Sequence, residues 1–242
     1  FSGRPEAERC SETQAWCEDN LAPALAALDP SRASFFGEDF GRSGDLTVIW
    51  PLQITPNLMR RTPFVVELRN VPFKQQEQIL FYIADRLPRL IGGAMDARGN
   101  GQYLAETAQL RYGSRVAAVM LTQEWYRENM PRYKAAFEDG NLELPSDAEL
   151  LADHRMLRME KGVAKIPERR MRGEDGHHRH GDSAIAGALA WYASRGDHQE
   201  YAYTPVAATP RSGSDDAAAD DDVPSGRDGY FASRVRFARG SW

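Results

Sequence analysis

Residues 35–50 read "FFGEDFGRSGDLTVIW": an apolar run that ends in two acids, a turn of glycine, serine and aspartate, then a second run rich in β-branched and aromatic residues. That is the pattern of two strands joined as a hairpin through "GRSGD" (41–45). Working outward, the first strand occupies "RASFFGEDFG" (32–41) and the second "DLTVIWPLQI" (45–54); "TPNLMRRT" leads into a third, "PFVVELRNV" (63–71). The period then changes. In "FKQQEQILFYIADRLPRL" (73–90), Ile79, Leu80, Ile83 and Leu87 recur at helical spacing, which predicts a crossover helix. "IGGAMDA" (91–97) is a short buried strand, "NGQYLAETAQLRYG" (100–113) a helix closed by Gly113, and "SRVAAVMLT" (114–122) another strand. Three successive strands followed by helix and strand in alternation predict an α/β fold, a mixed sheet flanked by helices.

Toward the ends the pattern weakens. "TQAWCEDNLAPALAALD" (13–29) has apolar positions every three or four residues, so 1–30 is expected to be an N-terminal helical segment ahead of a main domain at 31–200. A polar helical region runs to about residue 138. "PSDAELLADHRMLRME" (145–160) predicts a helix with Ser146 as cap and Glu149 in capping-box spacing, and "KGVAKIPE" (161–168) a strand or edge extension. Residues 201–242 turn to Gly, Asp, Ser, Pro and Ala, with the acidic stretch "GSDDAAADDDVPSG" (213–226), and predict a flexible segment with a terminal strand in "DGYFASRVRFARGSW".

The composition, 42% hydrophobic and 27% charged, is that of a globular domain, and no run approaches the roughly 18 apolar residues a membrane span needs. The opening residues lack the apolar stretch of a secretory signal, so a cytoplasmic setting without a membrane role is expected. A formal charge of −5 argues against a general nucleic-acid coat but leaves room for a local basic patch. Cys10 and Cys17 lie two turns apart on a predicted helix, too far for a disulfide, and two thiols make a poor zinc site. No G-x-S-x-G elbow is present.

Three aspartates stand where an apolar element gives way to glycine or polar sequence. Asp39 ends the first strand, Asp96 the fourth, and Asp182 opens the apolar helix in "HHRHGDSAIAGALAWYAS" (177–194). Taken singly each has an ordinary reading: a turn residue, an acceptor in a strand-to-helix turn, a helix cap or first-turn acid. Together they lie where ligand sites form, beyond the carboxyl ends of parallel strands, and clustered carboxylates without a nearby lysine suit a hard cation such as Mg²⁺ or Mn²⁺. Glu38, next to Asp39, is expected on the other side of its strand. Asp45, across the hairpin, is a fourth candidate ligand. His180 is a candidate for contact with a reacting phosphate, and Lys165, Arg169, Arg170, Arg172 and Arg179 for contacts to backbone phosphates, the competing reading being a solvated loop balanced by Glu168, Glu174 and Asp175.

Taken in order, "FFGEDFGRSGDLTVIW", "IGGAMDARGNGQYLAETAQLRYG" (91–113) and "HHRHGDSAIAGALAWYAS" resemble the nuclease domain of the large terminase subunit of tailed bacteriophages and prophages, over roughly residues 33–195. The resemblance implies an RNase H-like sheet, ordered 3-2-1-4-5, and a metal-dependent endonuclease that cuts concatemeric double-stranded viral DNA during packaging in the host cytoplasm. It implies a two-metal site of Mg²⁺ or Mn²⁺ on Asp39, Asp96 and Asp182, and association with a terminase ATPase domain, a small terminase subunit and a portal protein. No G-x-x-x-x-G-K-[ST] phosphate loop occurs, so the ATPase itself is not assigned to this chain. The alternatives are another RNase H-like nuclease, such as a junction resolvase or a transposase catalytic domain, and a non-catalytic DNA-binding or motor-docking module.

Overall fold

A computed structural model of the chain describes residues 4–41, 46–160, 163–165, 171–172, 178–179, 181–196 and 232–237. Among the described residues six strands form the main sheet: β1 (Ser34–Asp39), β2 (Leu46–Ile54), β3 (Phe64–Arg69), β4 (Leu90–Asp96), β5 (Val116–Val119) and β6 (Ala232–Phe237). Their order is β6-β3-β2-β1-β4-β5, with the two-residue strands Arg60–Arg61 and Leu142–Glu143 appended beside β2. The first three strands are antiparallel, and β4 runs parallel to β1 and to β5. This is the expected 3-2-1-4-5 sheet with β6 added antiparallel to β3.

Among the described residues seven helices cover both faces: α1 (Glu6–Asn20), α2 (Ala22–Ala26), α3 (Phe73–Arg86), α4 (Gly101–Tyr112), α5 (Gln123–Glu138), α6 (Ala148–Arg155) and α7 (Asp182–Ala193). Because neither face meets water, β1 and β3 are buried along their whole length. One core joins Phe36, Ile49, Val66, Leu68 and Met95 to Cys17, Leu21, Ile79, Ile83 and Leu104 of α1, α3 and α4 and the residue joining α1 to α2. The other joins Phe35, Val48, Trp50 and Ala94 to Met130, Tyr133 and Leu150 and to the small residues of α7. Cys10 and Cys17 are free thiols. Among the described residues no helix is long and apolar enough to cross a membrane.

Two local expectations are corrected, and for Asp182 the first-turn reading holds over the cap. The cap of α6 is Asp147, whose carboxylate accepts the N–H groups of Glu149 and Leu150, and not Ser146; a charged acceptor that meets two orphan N–H groups at the positive end of a helix outdoes a hydroxyl. That helix stops at Arg155, and Arg158–Glu160 pairs antiparallel with Val163–Lys165 as a small hairpin. Asp182 is the first residue of α7, while the cap position belongs to Gly181 at φ 75°, a left-handed conformation that favours glycine. The expected hairpin turn falls mostly on residues 42–45, outside the described residues.

Candidate metal centre

Side chains alternate across a strand, and the two cores say which face is which. Phe36, Ile49 and Met95 belong to the α1/α3/α4 side; Phe35 and Ala94 belong to the α7 side. Gly37 faces α7 so closely that a Cβ on it would lie 2.1 Å from the carbonyl oxygen of Ala186 and 2.3 Å from the nitrogen of Ala190. Asp39 therefore points to the α7 side, as does Asp96 at the end of the neighbouring parallel strand. Asp182 joins them from the first turn of α7. The geometry thus brings the three aspartates to one end of the sheet, at the carboxyl ends of β1 and β4.

The electrostatics follow from that convergence. Burial pushes the Asp39 carboxyl well above the usual range, and the negative charges of Asp182, Asp96 and Glu38 add to it, while Arg98 pulls the other way. Asp39 is 8% exposed and Asp96 5%, whereas Asp182 is partly open to solvent. Asp96 is gripped by Arg98: Nε lies 3.0 Å from Oδ1, Nη2 lies 2.9 Å from Oδ2, and the Arg98 backbone N–H also donates to Oδ1 at 3.0 Å. This bidentate fork is the counter-charge Asp96 finds in its own loop. Tyr126, at the start of α5, is close enough to sense Arg98, Asp39 and Asp96, although burial is the main reason its hydroxyl is pushed up to about 12.

The surrounding shell fixes the aspartates. α4 begins at Gly101, where a Cβ would come within 2.4 Å of the Asp96 carbonyl oxygen, so glycine lets this helix close over the end of β4. The fully buried Ser183 donates to Asp153 Oδ2 at 2.7 Å, tying the first turn of α7 to α6. One residue on, His154 is held between the Leu150 carbonyl oxygen (2.7 Å from Nδ1) and the Tyr133 hydroxyl (2.9 Å from Nε2).

Glu38 is fully buried, and among the described residues neither carboxylate oxygen has a hydrogen-bond partner. Burial, with Asp96 second, raises its proton affinity well above the usual range. It lies on the α1/α3/α4 side, as the alternation predicted. Asp45, His180, Arg169 and Arg170 lie outside the described residues. Lys165, Arg172 and Arg179 sit in the short strands Val163–Lys165, Met171–Arg172 and His178–Arg179, with their side chains outside the described part. Sequence reasoning missed Arg98 and Tyr126. Arg98 stands two residues after Asp96 in "MDARGNG", yet nothing in that spacing distinguishes a fork onto the aspartate from a solvated side chain.

Among the described residues no three histidine, cysteine or acidic side chains already stand in metal-ligating geometry. The donor set nonetheless fits a hard divalent cation: converging carboxylates, mostly buried, repel one another, and Arg98 meets only part of the charge.

No protein-family model matches the chain. Over 202 residues, 83% of the chain, it is 44% identical to a protein of Haemophilus influenzae named Mu-like prophage FluMu protein gp28. Over 232 residues, 95% of the chain, it is 43% identical to the probable terminase, large subunit gp28, of Escherichia phage Mu. Each match takes in 40% of the relative, so the chain spans about two fifths of the length of the curated relatives it matches. Among solved structures, the large terminase nuclease from the thermophilic phage G20c with bound magnesium has a TM-score of 0.53 at 18% identity, covering 69% of this chain and 83% of that one. Its zinc-bound form has a TM-score of 0.52 at 18% identity, covering 68% and 82%. At such identity the likeness is one of fold, the RNase H-like arrangement derived above. The chain is thus a homologue of the gp28 proteins of phage Mu and a Mu-like prophage, the first of them named a probable terminase large subunit, and it folds as large terminase nuclease domains do.

Proposed function

We propose that this domain is a divalent-metal-dependent endonuclease that cuts concatemeric double-stranded DNA during viral genome packaging. One observation carries the reading: residues 57 and 86 positions apart in sequence, Asp39, Asp96 and Asp182, meet at the carboxyl ends of two parallel strands. Bound Mg²⁺ or Mn²⁺ would supply Lewis-acid stabilisation of the phosphate and a water acidic enough to attack it. Asp39, Asp96 and Asp182 would hold the ions, with Asp45 as a further ligand. Arg98 holds Asp96 in place and balances its charge. His180 contacts the scissile phosphate, and Lys165, Arg169, Arg170, Arg172 and Arg179 hold the backbone without reading bases. The tight packing of α7 on Gly37 keeps Asp182 in position, as metal chemistry demands of its ligands.

The homologous subunits support a packaging role, with a terminase ATPase domain, a small terminase subunit and a portal protein as partners in the host cytoplasm. Supercoiled plasmid should be nicked or linearised by the protein in Mg²⁺ or Mn²⁺ and stay intact with chelator. In Asp182→Asn the volume is kept and the charge removed, so cutting should fall by orders of magnitude while thermal unfolding changes little. Because Asp182 is not the helix cap, no capping loss complicates the comparison. A well-folded Asp182→Asn protein that cuts like wild type would overturn the assignment.

A further inference from the structure

The opposite end of α7 carries the opposite charge. Arg195 stands two residues past the end of α7, Arg60 places its guanidinium 4.5 Å over the Trp191 ring with Nε 3.3 Å from the Ser194 hydroxyl, and Arg132 comes from the middle of α5. The Trp191 stack fixes Arg60 in one orientation. Among the described residues none of the three forms an ion pair, and the Arg195 Nη1 is buried with no hydrogen-bond partner. Their mutual repulsion is felt: burial and then Arg195 weaken the proton hold of Arg60, and burial and then Arg132 weaken that of Arg195, with Glu128 opposing less strongly. Three guanidiniums gathered without a matched carboxylate, one of them clamped on an aromatic face, make a site for an anion.

The fold also sets the distance to the aspartates. Arg60 pairs with Ile54 and its neighbour Arg61 with Gln53, which itself pairs with Ser34, so Arg60 lies at the end of β1 opposite Asp39. Along α7, twelve residues at 1.5 Å each separate the two ends by about 18 Å. A duplex held at the aspartates advances about five or six base pairs over that span. Carboxylates also repel a polyanion, so a duplex that reaches them has to be held by cations elsewhere.

We propose that Arg60, Arg132 and Arg195 form a second phosphate-holding site, which binds the backbone of duplex DNA about half a helical turn from the aspartates. The identification of the anion as DNA rests on the nuclease reading; the anion site itself does not. The test is binding of a linear duplex, three helical turns long, to the full chain in Ca²⁺ or chelator at a series of salt concentrations. Arg132→Gln/Arg195→Gln should weaken binding about tenfold and lower the slope of log affinity against log salt by about 2, near 0.9 for each phosphate no longer neutralised. Arg132→Lys/Arg195→Lys should keep most of the slope. Should the double variant fail to fold, Arg132→Gln alone, exposed on α5, should lower the slope by about 1. If wild type cuts nothing but its DNA binding still depends on the arginines, the nuclease reading fails and this site stands. Unchanged affinity and slope in the folded glutamine variants would overturn it, as would a defect confined to inorganic phosphate binding.

Discussion

Glu38 and Asp39 are neighbours in the chain, both nearly or wholly buried and both pushed toward the protonated form, yet the two faces of the sheet put them in different settings. On the α1/α3/α4 face, bulky side chains fill the space: Glu38 has Ile49 and Met95 beside it on the flanking strands, in the layer that holds Phe36, Ile79 and Leu80. On the α7 face, backbone meets backbone, Gly37 against Ala186 and Ala190, and the acids stand at the rim, where Asp182 remains partly open to solvent. Residue type therefore does not decide which carboxylate can serve as a ligand. Face and depth do: Asp39 converges with acids from two other elements, and Glu38 has hydrocarbon.

Exchanging the two charges for neutral side chains gives the largest contrast. On the nuclease reading, Asp39→Asn should lower metal-dependent plasmid cutting by orders of magnitude, because the central carboxylate is gone. Glu38→Met replaces an unpartnered buried carboxyl with an apolar chain of similar length, which should leave cutting near wild type and raise stability by about 1 kcal/mol or more. Cutting assays and thermal melts on both proteins check this. A folded Glu38→Met protein that had lost its cutting would move Glu38 into the site and break the contrast between the faces.

Close approach separates the faces more gently. A methyl group on Gly37 collides with the main chain of α7, which can yield only if the whole helix withdraws; one on Gly93 meets the Phe36 ring at 2.3 Å, on the other face. Gly37→Ala should cost about 3 kcal/mol or more, at the upper end of overpacking penalties, and Gly93→Ala less, since a ring can turn where a backbone cannot. Denaturant unfolding of the two variants measures the difference. Equal losses would mean that α7 is no more rigidly seated than the side chains opposite.

Much of this was legible in the sequence, for a physical reason. A sheet buried on both faces is written as short apolar strands, crossover helices as apolar positions with a 3.6 period, and each of Asp39, Asp96 and Asp182 as the residue where an apolar element breaks off. Contacts that depend on side-chain direction rather than periodicity were not. The Arg98 fork on Asp96 is a matter of rotamer, and the choice of Asp147 over Ser146 as cap turned on a single residue of register. The gathering of Arg60, Arg132 and Arg195 joins elements far apart in the chain, and no local pattern marks it. Likewise, the pairing of β6 with β3, sealed by Arg236 bridging Glu67, Asp147 and Glu149, draws on three separate segments.

The smallest effect, and the one that sharpens the comparison most finely, is the dependence of stability on pH. Asp39 and Glu38 keep their protons above the ordinary carboxylate range, whereas the unfolded chain releases them near a pH of about 4. Below that pH both states are protonated and the contribution of these carboxyls is fully present. As the pH climbs, the unfolded chain loses protons that the folded chain retains, and the contribution declines until the raised values are passed. His154 works in the opposite sense. Burial holds it below its ordinary value of 6.5, so the stability linked to the neutral ring is present above that pH and is lost as the pH falls through it. Asp39→Asn removes one of the terms that weaken the fold on the alkaline side and leaves the His154 term alone. Its melting temperature should therefore gain steadily on wild type as the pH rises above the ordinary carboxylate range of about 4, while the loss that His154 causes below pH 6.5 is the same in both proteins. On the nuclease reading Mn²⁺ binds this same carboxylate without its proton, so an increase in melting temperature on adding Mn²⁺ should also grow as the pH rises and be lost in Asp39→Asn. Parallel melting profiles for the two proteins, with and without Mn²⁺, would mean that Asp39 titrates like an ordinary carboxylate and that its neighbours at the rim exert no pull on it.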